Sequence, residues 1–111
     1  MALTADLLRG NTDTILLRLL MNKDSYGYEI NKQIKKITVG QVIFSEATLY
    51  TAFRRLEKEG LIVSRWGDEN SGARRRYYHL TEAGKKEYQK RLKEWRQTYH
   101  LLERLMEDGN D

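Results

Sequence analysis

The chain has 111 residues with 40% hydrophobic and 32% charged side chains, no cysteine and two histidines. That length builds one modest core, the lack of cysteine excludes disulfides and thiolate chemistry, and two scattered histidines make no transition-metal site. The net charge of +4 is unevenly spread: thirteen basic and nine acidic residues precede Thr81, and seven of each follow, so any polyanion partner is expected to meet the first 80 residues.

No apolar run approaches the roughly 18 residues that span a bilayer. Met1 to Asp6 lacks the charged and apolar regions of a signal peptide, and a cytoplasmic chain is expected. Residues 3–22 then read as a first helix. Leu3, Leu7, Leu8, Ile15, Leu16, Leu19 and Leu20 supply more apolar surface than one stripe needs, so this helix is expected to be covered on more than one side. Gly10 costs about 1 kcal/mol of helix propensity and makes Thr12 the alternative start; we read one continuous helix. Asn22 to Ser25 is a polar turn in which Asp24 or Ser25 can cap a second helix over Tyr26–Ile37, with Tyr26, Ile30, Ile34 and Ile37 inward.

Thr38-Val39-Gly40 breaks that pattern, and Gln41 to Phe44 is expected as a short strand. Ser45 is a good N-cap for a third helix, in which Leu49, Phe53 and Leu56 fall at i, i+4 and i+7 as one inward stripe. Thr48, Tyr50, Thr51, Arg54, Arg55 and Lys58 lie elsewhere on the cylinder. Gly60 supplies the left-handed residue that ends the helix, and Ile62-Val63 opens a strand. Gly67 to Gly72 is rich in turn formers. The returning strand carries Arg74-Arg75-Arg76-Tyr77-Tyr78; alternation sends Tyr78 and Leu80 inward and Arg75 and Tyr77 outward. Arg74 and Arg76 share the face of Tyr78 but sit near the tip, where both can still reach solvent. Trp66 is expected to pack under the hairpin.

A last helix starts after Thr81, its N-cap, with Glu82 favoured by the macrodipole. Tyr88, Leu92, Trp95, Tyr99, Leu102 and Met106 are spaced 4, 3, 4, 3 and 4, an a/d seam that Leu101 and Leu105 widen. Such a face on an appended helix needs another surface, and a second copy of the chain is the simplest supplier. Trp95 reads either as plain dimer core or as one wall of a slot for a planar ligand. Residues 107–111 have the composition of a frayed tail.

The order α-α-(β)-α-β-β followed by a helix is an α+β, mostly helical arrangement: a winged helix-turn-helix over residues 1–80 and a long dimerisation helix with a short tail over 81–111. In that arrangement the third helix enters the major groove of duplex DNA and the hairpin lies along the backbone. Ser45, Thr48, Tyr50, Thr51, Arg54 and Arg55 on the helix, and Arg74, Arg75, Arg76 and Tyr77 on the strand, are the DNA-contact candidates. The competing account pairs the helix charges with Glu57 and Glu59 and the strand arginines with Asp68 and Glu69. A protein-interaction module that uses the basic hairpin is the rival from another class. No catalytic, phosphate-loop or metal-ligand pattern is present, so neither an enzyme nor a cofactor is expected.

Tyr26-Gly27-Tyr28-Glu29-Ile30, Ala47-Thr48-Leu49-Tyr50 with Arg55-Leu56-Glu57-Lys58-Glu59-Gly60-Leu61-Ile62, and Gly72-Ala73-Arg74-Arg75-Arg76-Tyr77-Tyr78-His79-Leu80-Thr81-Glu82-Ala83-Gly84 together resemble the PadR family of bacterial transcriptional regulators. The likeness covers nearly the whole chain. The single terminal helix with its tryptophan is similar to the small, multidrug-responsive members. That resemblance implies a homodimeric repressor on a DNA operator, with a planar aromatic effector between paired tryptophans. It implies that Leu8, Asn11 and Ile15 line the pore from the first helix and Trp95 and Tyr99 from the last. Gly10 departs from the pattern, standing where a stronger helix former is expected. A winged-helix regulator without a small-molecule ligand is the nearer alternative.

Overall fold

The apolar periodicities fold into helices around a small hairpin. The computed structural model describes residues 8–67 and 74–107. Along them run α1 (Thr12–Asn22), α2 (Gly27–Ile37), α3 (Glu46–Lys58), β1 (Ile62–Trp66), β2 (Arg76–Leu80) and α4 (Glu82–Glu107). Leu3, Leu7, the hairpin tip from Asp68 to Ala73 and the tail from Asp108 lie outside the described residues.

The expected unbroken helix over 3–22 is not formed. Gly10 and Asn11 make a turn in which the Asn11 N–H donates to the Leu8 carbonyl at 3.0 Å. The Thr12 hydroxyl donates to the same carbonyl at 3.1 Å. Glycine recovers nothing for the entropy of joining a helix, so α1 begins afresh at Thr12. Its Leu16, Leu17, Leu19 and Leu20 are all buried, as the excess of apolar positions requires.

In α2 the inward stripe is shorter than its sequence pattern. Ile30 and Ile34 are buried, whereas Ile37 is 69% exposed, because the chain turns back after Thr38 and places Val42 and Phe44 in the core instead. Neither Asp24 nor Ser25 caps the helix, whose N-cap position is Tyr26 with no side-chain bond. The Ser25 hydroxyl donates to Glu29 at 2.6 Å. Residues 41–44 do not pair as a strand: Gln41 is a bend and 42–44 belong to no regular element. Asn31 takes the place of a partner strand: its amide donates to the Phe44 carbonyl at 2.6 Å and accepts the Phe44 N–H at 3.0 Å. The hairpin's extra pairing falls elsewhere, at Ser25, whose N–H and carbonyl exchange bonds with Tyr78.

Helix α3 follows its sequence signals closely. Ser45 Oγ accepts the Thr48 N–H at 3.1 Å, and Leu49, Phe53 and Leu56 are buried. At the other end Gly60 adopts φ 76°. Its N–H bonds the Glu57 carbonyl and the Leu61 N–H reaches Leu56, both at 3.0 Å. This is the Schellman closure, which turns the chain into β1. The strands are antiparallel, pairing Ile62 with Leu80, Ser64 with Tyr78 and Trp66 with Arg76. Tyr78 stacks on Phe53 of α3 at 4.0 Å and 11°, which fixes the hairpin beside that helix.

Thr81 ties the hairpin to α4. Its hydroxyl accepts the Gly84 N–H at 3.0 Å and points at the Gly60 and Leu61 carbonyls at 2.8 and 3.0 Å. A Cβ on Gly84 would stand 2.2 Å from the Leu61 carbonyl oxygen, so the glycine is what allows α4 to lie this close. Of the α4 side chains only Tyr88 joins the core, with Leu92 packed at its edge. From Trp95 onward the apolar residues of the helix are exposed. The element order and sheet are those of a winged helix-turn-helix with a long C-terminal helix.

Candidate nucleic-acid interface

Because Leu49, Phe53 and Leu56 turn inward, Tyr50, Thr51, Arg54 and Lys58 are left on the outer face of α3, all exposed. Arg54 lies over the Tyr50 ring at 5.6 Å. Among the described residues neither Arg54 nor Lys58 has an acidic partner. Ser45 and Thr48 are occupied with each other at the N-terminus of α3, hydroxyl to hydroxyl at 2.9 Å. The helix and the hairpin bound a groove of about 650 Å³ lined by Tyr50, Thr51, Arg54, Lys58, Arg76 and Tyr78 among others. With Arg54 and Lys58 free of acidic partners among the described residues, Arg76 paired to Glu57 across it, and the hydroxyls of Tyr50 and Thr51 alongside, the groove is suited to a phosphate backbone.

Arg55, next along the chain, is placed differently. Its guanidinium forks onto the Asp13 carboxylate of α1 at 2.8 and 2.5 Å, and the bond to Asp13 holds the arginine's pKa above its ordinary value. Asp13 also faces Arg91 of α4 at 3.7 Å, and Arg91 reaches Glu87 at 2.7 Å and Glu59 at 3.5 Å. Burial works against the Arg91 charge; its bond to Glu87 and the nearby Asp13 and Glu59 outweigh that and raise its pKa. Five residues thus brace α3 against α1 and α4. Sequence reasoning placed Arg55 with Arg54 and found no role for Asp13 or Arg91. The Glu87–Arg91 spacing of four was a visible signal, but Asp13 and Arg55 lie 42 positions apart and share no local pattern.

On the hairpin, Arg74, Arg75 and Arg76 are exposed. Arg76 reaches Ser64 at 3.0 Å and Glu57 of α3 at 3.4 Å, so Glu57 and Glu59, the acids of the competing account, pair with Arg76 of the hairpin and Arg91 of α4 rather than with Arg54 or Lys58. Tyr77 is not turned outward as alternation suggested: it is half-buried, edge-on to Tyr26 at 5.2 Å and 69°, with Arg65 over its ring and Arg75 over Tyr26. Trp66 departs from its expectation as well. It is 54% exposed and lies outside the core. On the same side as Tyr77, Asp24 accepts from Arg65 at 2.6 Å and sits 2.7 Å from His79 Nδ1. Burial raises the Asp24 pKa, and the bonds from His79 and Arg65 more than offset it, leaving the carboxyl below its ordinary value.

A second concavity lies between α1 and α4. About 430 Å³ in volume, it is lined by Leu8, Asn11, Thr14, Ile15, Arg18, Leu19, Ile37, Tyr88, Leu92 and Trp95. Four of the five residues expected to form a pore, Leu8, Asn11, Ile15 and Trp95, therefore meet here. Tyr99, the fifth, stacks on Trp95 at 5.5 Å and 22°, just past the rim. Of the seam residues, Tyr88 is drawn into the chain's own core and Leu92 is partly covered. Trp95, Tyr99, Leu102 and Met106 are 46%, 48%, 43% and 78% exposed. The physical reason is position: Tyr88 lies within the first two turns after Thr81, where α4 still runs along α1 and the hairpin.

The sequence profile of the Transcriptional regulator PadR-like family matches residues 16–90. The chain belongs to this family. It is similar to a transcriptional regulator from Clostridium thermocellum, with 44% identity and a TM-score of 0.86 over 93% of this chain and 97% of that one. A PadR family transcription regulator from hypervirulent Clostridium difficile shares 35% identity, with a TM-score of 0.74 over 86% and 98% of the two chains. An uncharacterized protein of Lysinibacillus sphaericus is 41% identical over 103 residues, 93% of this chain and 94% of its own length. Like its family, this PadR regulator is a DNA-binding transcription factor and not an enzyme. Among its described residues no helix is long and apolar enough to cross a membrane.

Proposed function

We propose that this PadR regulator is a homodimeric repressor whose residues 1–80 hold an operator and whose residues 81–111 pair the two chains, with a planar aromatic effector bound at the junction. The observation that carries the reading is the Trp95–Tyr99 stack, half exposed at the mouth of an apolar pocket. Trp95, Tyr99, Leu101, Leu102, Leu105 and Met106 all show large apolar area in the single chain. Covering the exposed part of each is worth on the order of 1 kcal/mol. Two chains together therefore gain on the order of 10 kcal/mol, which is comparable with the cost of association. The terminal seam alone is marginal by that measure, and the pocket face of Leu8, Ile15 and Ile37 supplies the further apolar area that favours a stable pair. Two flat rings meeting across a two-fold axis pack better around an intervening planar ligand than against each other.

On DNA, Ser45, Thr48, Tyr50, Thr51 and Arg54 are assigned to the major groove and Arg74, Arg75 and Arg76 to phosphates. Arg55 and Tyr77 are assigned to holding those elements in place. Two copies related by a two-fold would meet half-sites about one helical turn apart. The test has three parts: sedimentation for the dimer, titration with planar cationic dyes followed by tryptophan fluorescence, and a gel shift on the promoter of its own gene with and without dye. A monomer at micromolar concentration, or dye binding that leaves the gel shift unchanged, refutes the reading.

A further inference from the structure

We propose that Trp66 is a DNA-contacting residue that sets Arg74 and Arg76 as a clamp on the sugar-phosphate backbone flanking the groove. The inner face of the hairpin grades from buried to open. Ile62 opposite Leu80 is fully buried, Ser64 opposite Tyr78 is next, and Trp66 opposite Arg76 is last. Alternation keeps all three pairs on the side that faces α3. The indole therefore lies beside Arg76, which itself lines the groove, and beyond the point where the core can use it.

Two guanidiniums share this one ring. Arg74 lies 5.2 Å and Arg76 5.6 Å from its centroid. Holding two like charges on one side chain is unfavourable by Coulomb repulsion unless an anion joins them. Arg76 has such a partner in Glu57, while Arg74 has no acidic partner among the described residues. A cation stacked on an exposed indole, with no acidic partner among the described residues, at the edge of a groove lined by other cations, is set to receive phosphate. Stacking removes rotamer freedom from both arginines before DNA arrives, which lowers the entropy lost on contact. Trp66 thus serves the backbone contact directly and through the arginines, and it adds nothing to the core.

The test uses the full chain and two labelled duplexes, one from upstream of its own gene and one of scrambled sequence and equal composition. Trp66→Leu removes the ring and Trp66→Phe keeps an aromatic face. The leucine variant is expected to bind both duplexes about tenfold more weakly, with the slope of log K against log salt shallower by about 1 to 2 as one or two phosphate contacts are lost. The phenylalanine variant is expected to retain most of the affinity. Melting temperatures of both should stay within about 4 °C of the parent, since the site is on the surface. In protein labelled with 5-fluorotryptophan, the 19F resonance that disappears in Trp66→Phe should shift as either duplex is added. Unchanged affinity in Trp66→Leu, an equal loss in Trp66→Phe, or a loss confined to one duplex overturns the proposal.

Discussion

Arg54 and Arg55 are neighbours in sequence with opposite predicted roles, and separating them tests the geometry of the recognition helix. Arg55→Ala removes two bonds, at 2.8 and 2.5 Å, to Asp13. An exposed ion pair is worth about 0.2–1 kcal/mol, and the Arg55 side chain is 49% exposed, so solvent screens part of the attraction. The Asp13 side chain is only 17% exposed and would keep Arg91 alone, at 3.7 Å. A half-satisfied carboxylate in that setting raises the expected cost to about 1–2 kcal/mol. For a chain near 100 residues each kcal/mol moves the melting temperature by about 4–8 °C, so Arg55→Ala should melt roughly 5–15 °C lower. Arg54→Ala breaks no ion pair and should melt within about 3 °C of the parent. Its cost should appear on DNA, at about 1–3 kcal/mol or roughly tenfold to a hundredfold in Kd. Calorimetry and fluorescence anisotropy on the same preparations give both numbers. A double-mutant cycle with Asp13→Ala should return a coupling of about 0.5–2 kcal/mol for Arg55 and none for Arg54. An Arg55→Ala variant that melts like the parent and loses only DNA affinity would refute the brace.

Trp95→Ala is expected to abolish binding of planar dyes in a fluorescence titration while sedimentation still shows a dimer; undiminished dye affinity would remove Trp95 from the ligand site. Gly84→Ala forces a Cβ against the Leu61 carbonyl oxygen, 2.2 Å away in the present packing, and should lower stability by about 2–4 kcal/mol in urea titration despite alanine's better helix propensity. The depressed pKa of Asp24 contributes stability that is complete above the unfolded carboxylate value of about 3.9 and is lost as pH falls through the lower folded value. Asp24→Asn should therefore flatten the decline of melting temperature as the pH falls below about 4, and an unaltered decline would show that the Asp24 cluster does not carry it.

Local rules with short reach made most of the fold legible. Ser45 caps α3 because a hydroxyl three residues from an open N–H can close on it, and Gly60 ends the helix because it adopts φ 76° without penalty. The inward stripe Leu49, Phe53 and Leu56 follows from helical period alone, and so does the outward place of Thr51 and Arg54. Glycines were ambiguous to the same rules: Gly10 breaks a helix and Gly84 permits one to pack, and only the neighbours of each decide which.

By itself the sequence determined the winged helix-turn-helix order, the exposed basic face of α3, the buried Tyr78 and Leu80, and the apolar stripe of α4. These are properties of periodicity, caps and turns, which act within a few residues. Tertiary structure alone decided that Arg55 braces α3 through Asp13 and Arg91, that Tyr77 folds onto Tyr26 while Trp66 stays in the open, and that Tyr88 belongs to the core while Trp95 looks out of a pocket. Each depends on which elements come together across tens of residues, where partners are chosen by packing and charge in space and leave no spacing in the chain to read.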